Sequence, residues 1–186
     1  MVRIIGGTAK GTLLKAPAGR STRPTLAQTR ESIFNVLTNL GLLETRVLDI
    51  FAGTGAMGLE ALSRGAKSAT FIDKATGHLL RENALKCRLE ARAEILARDV
   101  SAAVSYLCGR SYDYIFMDPP YQKGYIQTIL DQVLAADLPA DGAFLIVEHH
   151  ADEPIALESF GDRLSVWKQK RARETCVTYL HYTKQR

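Results

Sequence analysis

Two groups of residues in this chain have types and spacing suited to chemistry. The first, Asp118-Pro119-Pro120-Tyr121, follows the apolar run Tyr112-Asp113-Tyr114-Ile115-Phe116-Met117. An acid and a rigid proline carbonyl both accept hydrogen bonds, so they suit a planar amine, and a Tyr ring stacks on a base. Two consecutive prolines have no amide hydrogens to donate. They end a strand and leave carbonyls facing a cleft. Asp and Pro are also common turn residues, so the tetrapeptide by itself is equally a strand-ending turn.

The second group is Gly53-Thr54-Gly55-Ala56-Met57-Gly58, which follows the apolar run Val47-Leu48-Asp49-Ile50-Phe51 and opens a helical pattern. Glycines in that strand-to-helix context permit a tight turn and close approach of a ligand to a helix N-terminus. Asp73 ends the next apolar run, 20 residues after Gly53, in reach of ribose hydroxyls. These features fit either a nicotinamide dinucleotide or an adenosyl cofactor. Three details favour S-adenosylmethionine. Asp49 precedes the glycines, where its carboxylate suits the cofactor's amino-acid end and would repel a pyrophosphate. Asp99 follows the third strand, placed to accept from an adenine amino group. Hydride transfer has no evident use for Asp-Pro-Pro-Tyr.

The elements that must position these groups alternate. Residues 1–24, with Gly6, Gly7, Gly11, Pro17, Gly19 and Pro24, read as a short hairpin and an extended arm. Thr25-Leu26-Ala27-Gln28 has the capping-box form, and Ile33, Val36, Leu37 and Leu40 at helical spacing predict a helix over 26–40. Strands are predicted at 47–51, 68–72, 94–97, 112–117 and 143–148. Helices are predicted at 56–64, 76–91, 101–108 and 124–136 between them. Such alternation predicts an α/β fold, a mostly parallel sheet covered on both faces. The runs 164–167 and 176–182 predict an antiparallel C-terminal hairpin.

The chain has 186 residues and is 46% hydrophobic, enough for one packed domain with a short appendage. The expected division is a basic arm over 1–24 and a single domain over 25–186. No apolar run approaches the roughly 20 residues of a membrane span. Cys87, Cys108 and Cys176 form no C-x-x-C pair, and the N-terminal residues lack a signal-like apolar core, which predicts reduced thiols and a cytoplasmic protein. His149-His150 has no further ligands at metal spacing, so no metal site is expected. The net charge is +4, unevenly spread. Arg3, Lys10, Lys15, Arg20, Arg23 and Arg30 fall within residues 1–30, which contain no acid, and Lys168, Lys170, Arg171 and Arg173 cluster near the C-terminus. That asymmetry predicts a polyanionic partner, with nucleic acid the commonest.

Leu48-Asp49-Ile50-Phe51-Ala52-Gly53-Thr54-Gly55 together with Asp118-Pro119-Pro120-Tyr121 resembles class I S-adenosylmethionine-dependent methyltransferases of nucleobase amines. More narrowly, the chain resembles the bacterial 16S ribosomal RNA guanine-N2 methyltransferases that modify guanine 966. The narrower resemblance rests on Arg3-Ile4-Ile5-Gly6-Gly7, Lys10-Gly11, Arg23-Pro24-Thr25, Arg30-Glu31-Ser32-Ile33-Phe34-Asn35 and Gly58-Leu59-Glu60-Ala61-Leu62-Ser63-Arg64-Gly65-Ala66. It departs from the family's pattern at Ala27-Gln28, which usually reads Asp-Arg, and at Asp73, often Glu.

The resemblance implies a Rossmann-like, seven-stranded methyltransferase fold. It implies cofactor contacts from Asp49, Phe51, Ala52, Gly53, Thr54, Gly55, Gly58, Asp73 and Asp99, and catalysis by Asp118, Pro119, Pro120 and Tyr121. Lys10, Arg20, Arg23 and Arg30 become candidate RNA contacts. The implied substrate is 16S rRNA, within a 30S subunit or an assembly intermediate, with no metal and no membrane. A DNA adenine-N6 methyltransferase and a non-enzymatic RNA-binding module are the alternatives.

Overall fold

The structure, a computed structural model, describes residues 2–17, 24–120 and 124–185. Its strands and helices divide between two compact units, Met1–Arg98 and Asp99–Arg186. They supply the mostly parallel seven-stranded α/β sheet and antiparallel C-terminal hairpin expected from the alternating pattern.

In the first unit, β1 (Val2–Arg3) pairs antiparallel with β2 (Leu13–Leu14), and α1 spans Pro24–Leu40. Three parallel strands follow: β3 (Arg46–Ile50), β4 (Ser68–Ile72) and β5 (Ala93–Leu96), in the order β5-β4-β3. The helix α2 (Ala56–Ser63) joins β3 to β4, and α3 (Gly77–Lys86) joins β4 to β5. Val47, Leu48 and Ile50 on β3 and Phe71 and Ile72 on β4 are buried, as continuous apolar runs in a parallel sheet should be. Helix α1 starts two residues before its expected position, with Pro24 in its first turn, where a missing amide hydrogen costs nothing. The side chains of the expected capping box lie partly outside the described residues.

The second unit holds α4 (Val100–Tyr106), β6 (Tyr112–Met117), α5 (Tyr125–Ala135), β7 (Pro139–His150), β8 (Leu164–Ala172) and β9 (Thr175–Tyr182). Its strands run in the order β6-β7-β9-β8; β6 and β7 are parallel, and β9 is antiparallel to both its neighbours.

One helix ends well short of its expected bound. The helix predicted over 76–91 stops at Lys86, because Arg88 takes a left-handed conformation (φ 58°). The Leu89 amide then donates to the Ala84 carbonyl and the Arg88 amide to that of Leu85, a Schellman closure. Helix α5 ends likewise, with Asp137 at φ 51° and the Leu138 amide on the Val133 carbonyl. Helix α2 ends in the same motif with Gly65 in the left-handed position, as expected from a glycine.

Candidate functional site

The β3–α2 connection carries three left-handed residues, Phe51 (φ 62°), Gly53 (φ 55°) and Gly55 (φ 78°). Its glycines serve different purposes. A Cβ on Gly58 would lie 2.3 Å from Phe71 Cε1, so this glycine lets α2 sit directly on β4. A Cβ on Gly55 would lie 2.8 Å from Leu80 Cδ2, and Gly55 opens α2 without a side-chain cap. Gly53 is unlike both. Its Cβ would meet nothing nearer than the Phe51 carbonyl oxygen at 3.9 Å, so the loop backbone there is open to close approach. Gly55 and Gly58 thus shape the turn and Gly53 leaves room beside it.

Two acids hold this loop. Asp49 on β3 pairs in register with Phe71, and so faces the same side of the sheet, under α2. Its Oδ2 accepts the Gly58 amide at 2.9 Å. Asp49 is therefore the N-terminal cap that α2 lacks locally, supplied from another element. Burial pushes its carboxyl up to about 7; the Gly58 hydrogen bond opposes that rise and the charge of Asp73 adds to it. Asp73 Oδ2 accepts the Gly53 amide at 2.9 Å, while Oδ1 accepts the amides of Ala75 and Thr76 at 2.9 and 3.0 Å. One carboxylate thus ties the glycine loop to the first turn of α3.

The Asp49 shift has a measurable consequence. Its folded pKa is raised above the unfolded value, so its contribution to stability is fully present below about pH 4 and lost as pH rises through about 7. An Asn at 49 keeps an acceptor for Gly58 and has no charge to bury. Asp49→Asn should therefore gain stability on the natural chain between pH 5 and pH 8, by on the order of a few kcal/mol, as denaturant unfolding at each pH would register. Parallel pH profiles for the two proteins would contradict the assignment.

In the second unit, Asp99 is exposed and caps α4, its Oδ1 accepting the Ser101 amide at 3.1 Å. Asp118 and Pro120 are exposed beyond β6, and Pro119 is buried. Tyr121 lies outside the described residues, as do Arg20 and Arg23. Lys10 is exposed in the N-terminal turn.

Arg30 departs from its expected place as an RNA contact. It is only 7% exposed, and its Nη2 donates to the Arg3 carbonyl at 2.6 Å. Burial lowers its pKa, with Glu60 opposing the change and Arg64 reinforcing it. A cation so placed holds β1 against α1. His149 is also held internally, its ring between Thr178 Oγ1 (2.8 Å) and the His150 carbonyl (2.9 Å).

Residues 2–181 match the family described as conserved hypothetical protein 95. The chain belongs to that family. It is 36% identical over 155 residues to ribosomal RNA small subunit methyltransferase D of Escherichia coli (strain K12), across 81% of this chain and 76% of that relative. It is 33% identical over 172 residues to YlbH of Bacillus subtilis (strain 168), across 90% and 92% of the two chains. The solved structure of yhhF from Escherichia coli matches with a TM-score of 0.85 and 28% identity over 99% of each chain.

This family member also uses three polar residues to which sequence reasoning gave no role. Glu60, fully buried in α2, accepts the amides of Ile5 (2.7 Å) and Gly6 (2.8 Å) and the Arg64 Nε (2.7 Å). Ser63 accepts the Ala9 amide at 2.9 Å and donates to the Gly6 carbonyl at 2.6 Å. Asn83, also fully buried, accepts the Lys15 amide at 2.8 Å and donates to the carbonyls of Lys15 (3.0 Å) and Thr54 (2.9 Å). The N-terminal hairpin is thereby fastened to α2, and Lys15, the residue after β2, is fastened to the glycine loop. Gly7 completes the fit: at φ 75°, a Cβ would lie 1.8 Å from the Ser63 carbonyl oxygen. The available signal was Glu60 and Ser63 on a short apolar helix that has few positions to spare for solvent.

Proposed function

We propose that this chain is an rRNA methyltransferase that uses S-adenosylmethionine to methylate the exocyclic N2 amine of guanine 966 in 16S rRNA. The observation that carries the reading is its 36% identity to ribosomal RNA small subunit methyltransferase D over 81% of its length. The glycine loop agrees with it. Gly53 leaves the backbone approachable, and the acids near it suit an ammonium and a ribose diol rather than a pyrophosphate. We take Asp49, Phe51, Ala52, Gly53, Thr54, Gly55, Gly58, Asp73 and Asp99 as the residues that hold the cofactor.

S-adenosylmethionine supplies a methyl group made electrophilic by its sulfonium. The chain's own work is on the acceptor. A nucleobase amine is a poor nucleophile because its lone pair is delocalised into the ring. In the proposed mechanism Asp118 and the Pro119 carbonyl accept both amine hydrogens, which draws nitrogen toward tetrahedral and frees its lone pair. Pro120 keeps the segment rigid, and Tyr121 stacks on the flipped-out base. Asp118 takes a proton only after transfer, when the amine has become acidic. Orientation and electrostatics supply the acceleration, without a covalent intermediate.

Residues 25–186 would then form one methyltransferase domain in the cytoplasm, and 1–24 an arm toward RNA. Lys10, Arg20 and Arg23 are the proposed phosphate contacts, and the substrate is a 30S subunit or assembly intermediate whose shape supplies recognition. Incubation with labelled cofactor and, separately, 30S subunits, naked 16S rRNA and duplex DNA tests the reading. Label should enter rRNA; label confined to DNA adenine would overturn it. Replacing Arg20 and Arg23 by Gln should weaken RNA binding and flatten its dependence on salt by about one to two counterions. An unchanged slope would assign the arm to folding.

A further inference from the structure

The C-terminal hairpin carries a basic and aromatic surface that the proposed transfer does not use. Between Arg163 and Arg173 the chain has five basic residues (Arg163, Lys168, Lys170, Arg171 and Arg173) and no acid. In the order β6-β7-β9-β8, strand β8 is the edge. Its pairing with β9 shifts between Val166 and Lys168, so Trp167 is a bulge residue, and bulges re-aim side chains. The indole is 47% exposed and Val166 beside it 50% exposed, both unusual for large apolar groups on a sheet.

Trp167 is nonetheless held firmly. Its ring meets Phe144 on β7 edge-on, with centroids 5.4 Å apart at 74°, and Tyr179 on β9 at 6.0 Å and 71°. Phe144 in turn packs on His181 at 5.0 Å. Lys168 Nζ lies 5.7 Å from the indole centroid. Lys168 pairs with Tyr179 and Lys170 with Val177, so by strand alternation both lysines follow the aromatic group along one face. The result is a firmly packed, half-exposed indole with the Lys168 ammonium beside it.

We infer that this face of β8 binds single-stranded RNA, a base stacking on Trp167 while Lys168 neutralises a flanking phosphate. Charge complementarity selects the occupant: an acid-free basic strand suits a polyanion, and an exposed ring among cations suits one that carries flat bases. An apolar protein partner would find few apolar side chains beyond Val166 and Trp167. The inference rests on the RNA reading above for its partner, not on which base is methylated.

Trp167 is the chain's one tryptophan, so its emission reports on this face alone. The full chain, saturated with S-adenosylhomocysteine, is titrated with an end-labelled oligouridine of about ten nucleotides. Indole emission and RNA anisotropy are followed together. Emission should be quenched in step with the rise in anisotropy. Trp167→Ala should weaken binding roughly ten-fold and raise the KM for RNA without lowering kcat, while Trp167→Phe retains most of the affinity. Lys168→Gln should reduce the salt slope. If anisotropy rises with emission unchanged, and Trp167→Ala binds as the natural chain does, this face is not the contact and the RNA reading stands. If neither oligouridine nor 30S subunits bind and no RNA accepts methyl, the RNA reading falls and this inference with it.

Discussion

Asp118→Ala should lower methyl transfer to 30S subunits by at least about a thousand-fold while changing cofactor affinity less than about two-fold. Electrostatic and orienting groups at a reacting centre contribute on this order. The expectation follows from the proposed division of labour. The acid and the Pro119 carbonyl engage the amine, whereas the cofactor residues lie on the β3–α2 loop, at Asp73 and at Asp99. Asp118→Asn discriminates further. It keeps an acceptor oxygen in place but loses the charge that favours the developing cationic amine, so part of the activity should survive. Cofactor binding by calorimetry and single-turnover transfer separate the two effects. Parallel loss of binding and transfer in the Ala variant would reassign Asp118 to the cofactor or to folding.

The second large effect concerns stability. Glu60→Ala should destabilise the chain by about 3–5 kcal/mol, the usual cost of removing one partner from a buried charged pair. Three donors lose their acceptor at once: the amides of Ile5 and Gly6, and the Arg64 guanidinium. Arg30, itself buried, loses the opposing charge of Glu60 and is left with that of Arg64 uncompensated. Glu60→Gln restores one acceptor but turns an amide group toward amide donors, and should fall between. Urea unfolding measures the difference, and limited proteolysis shows whether the hairpin has come away from α2. A loss below about 1 kcal/mol in both variants would mean that the hairpin is held by its apolar contacts, Ile4 and Leu14 among them.

This second result bears on function as well. The hairpin is bonded to α2 through Glu60 and Ser63, and Lys15 is bonded through Asn83 to the Thr54 carbonyl of the glycine loop. Lys15 also forms an ion pair with Glu82. The described part of the basic N-terminal segment is therefore fixed to the glycine loop through Lys15. A Glu60 variant that releases the hairpin should lose RNA affinity even though Glu60 is inaccessible to RNA.

What was legible in the chain follows from how local each signal is. The strands at Arg46–Ile50, Ser68–Ile72 and Tyr112–Met117 stand out because a strand buried on both faces is mostly apolar along its length, with Asp49 the buried exception in the first. The end of α2 stands out because Gly65 occupies the left-handed position itself. Helix α3 ends in the same hydrogen-bonding motif with Arg88 in that position, and nothing in an arginine announces it. The glycine loop was found as a loop, but not the separate tasks of its glycines. Those depend on Phe71 and Leu80, contributed by other elements.

Arg30 has a structural partner that its place in the sequence does not announce. Read along the sequence it continues a basic arm; in space it reaches back 27 residues to the Arg3 carbonyl. Glu60 and Asn83 were passed over for the same reason. Apart from Arg64, their partners are backbone groups 29 to 68 residues away, which leave no trace in local composition. Pairings of side chain to distant backbone are where reading a chain by pattern runs out. They are also what fixes the arm and the loop together here.

The central claim is most directly tested by mapping methylation on 16S rRNA. Subunits from cells lacking the corresponding activity are incubated with the purified chain and S-adenosylmethionine, and the rRNA is digested and sequenced by tandem mass spectrometry. The account predicts one added methyl, on N2 of guanine 966. A methyl on another nucleotide, on a ribose oxygen or on protein, with guanine 966 unmodified, would contradict it.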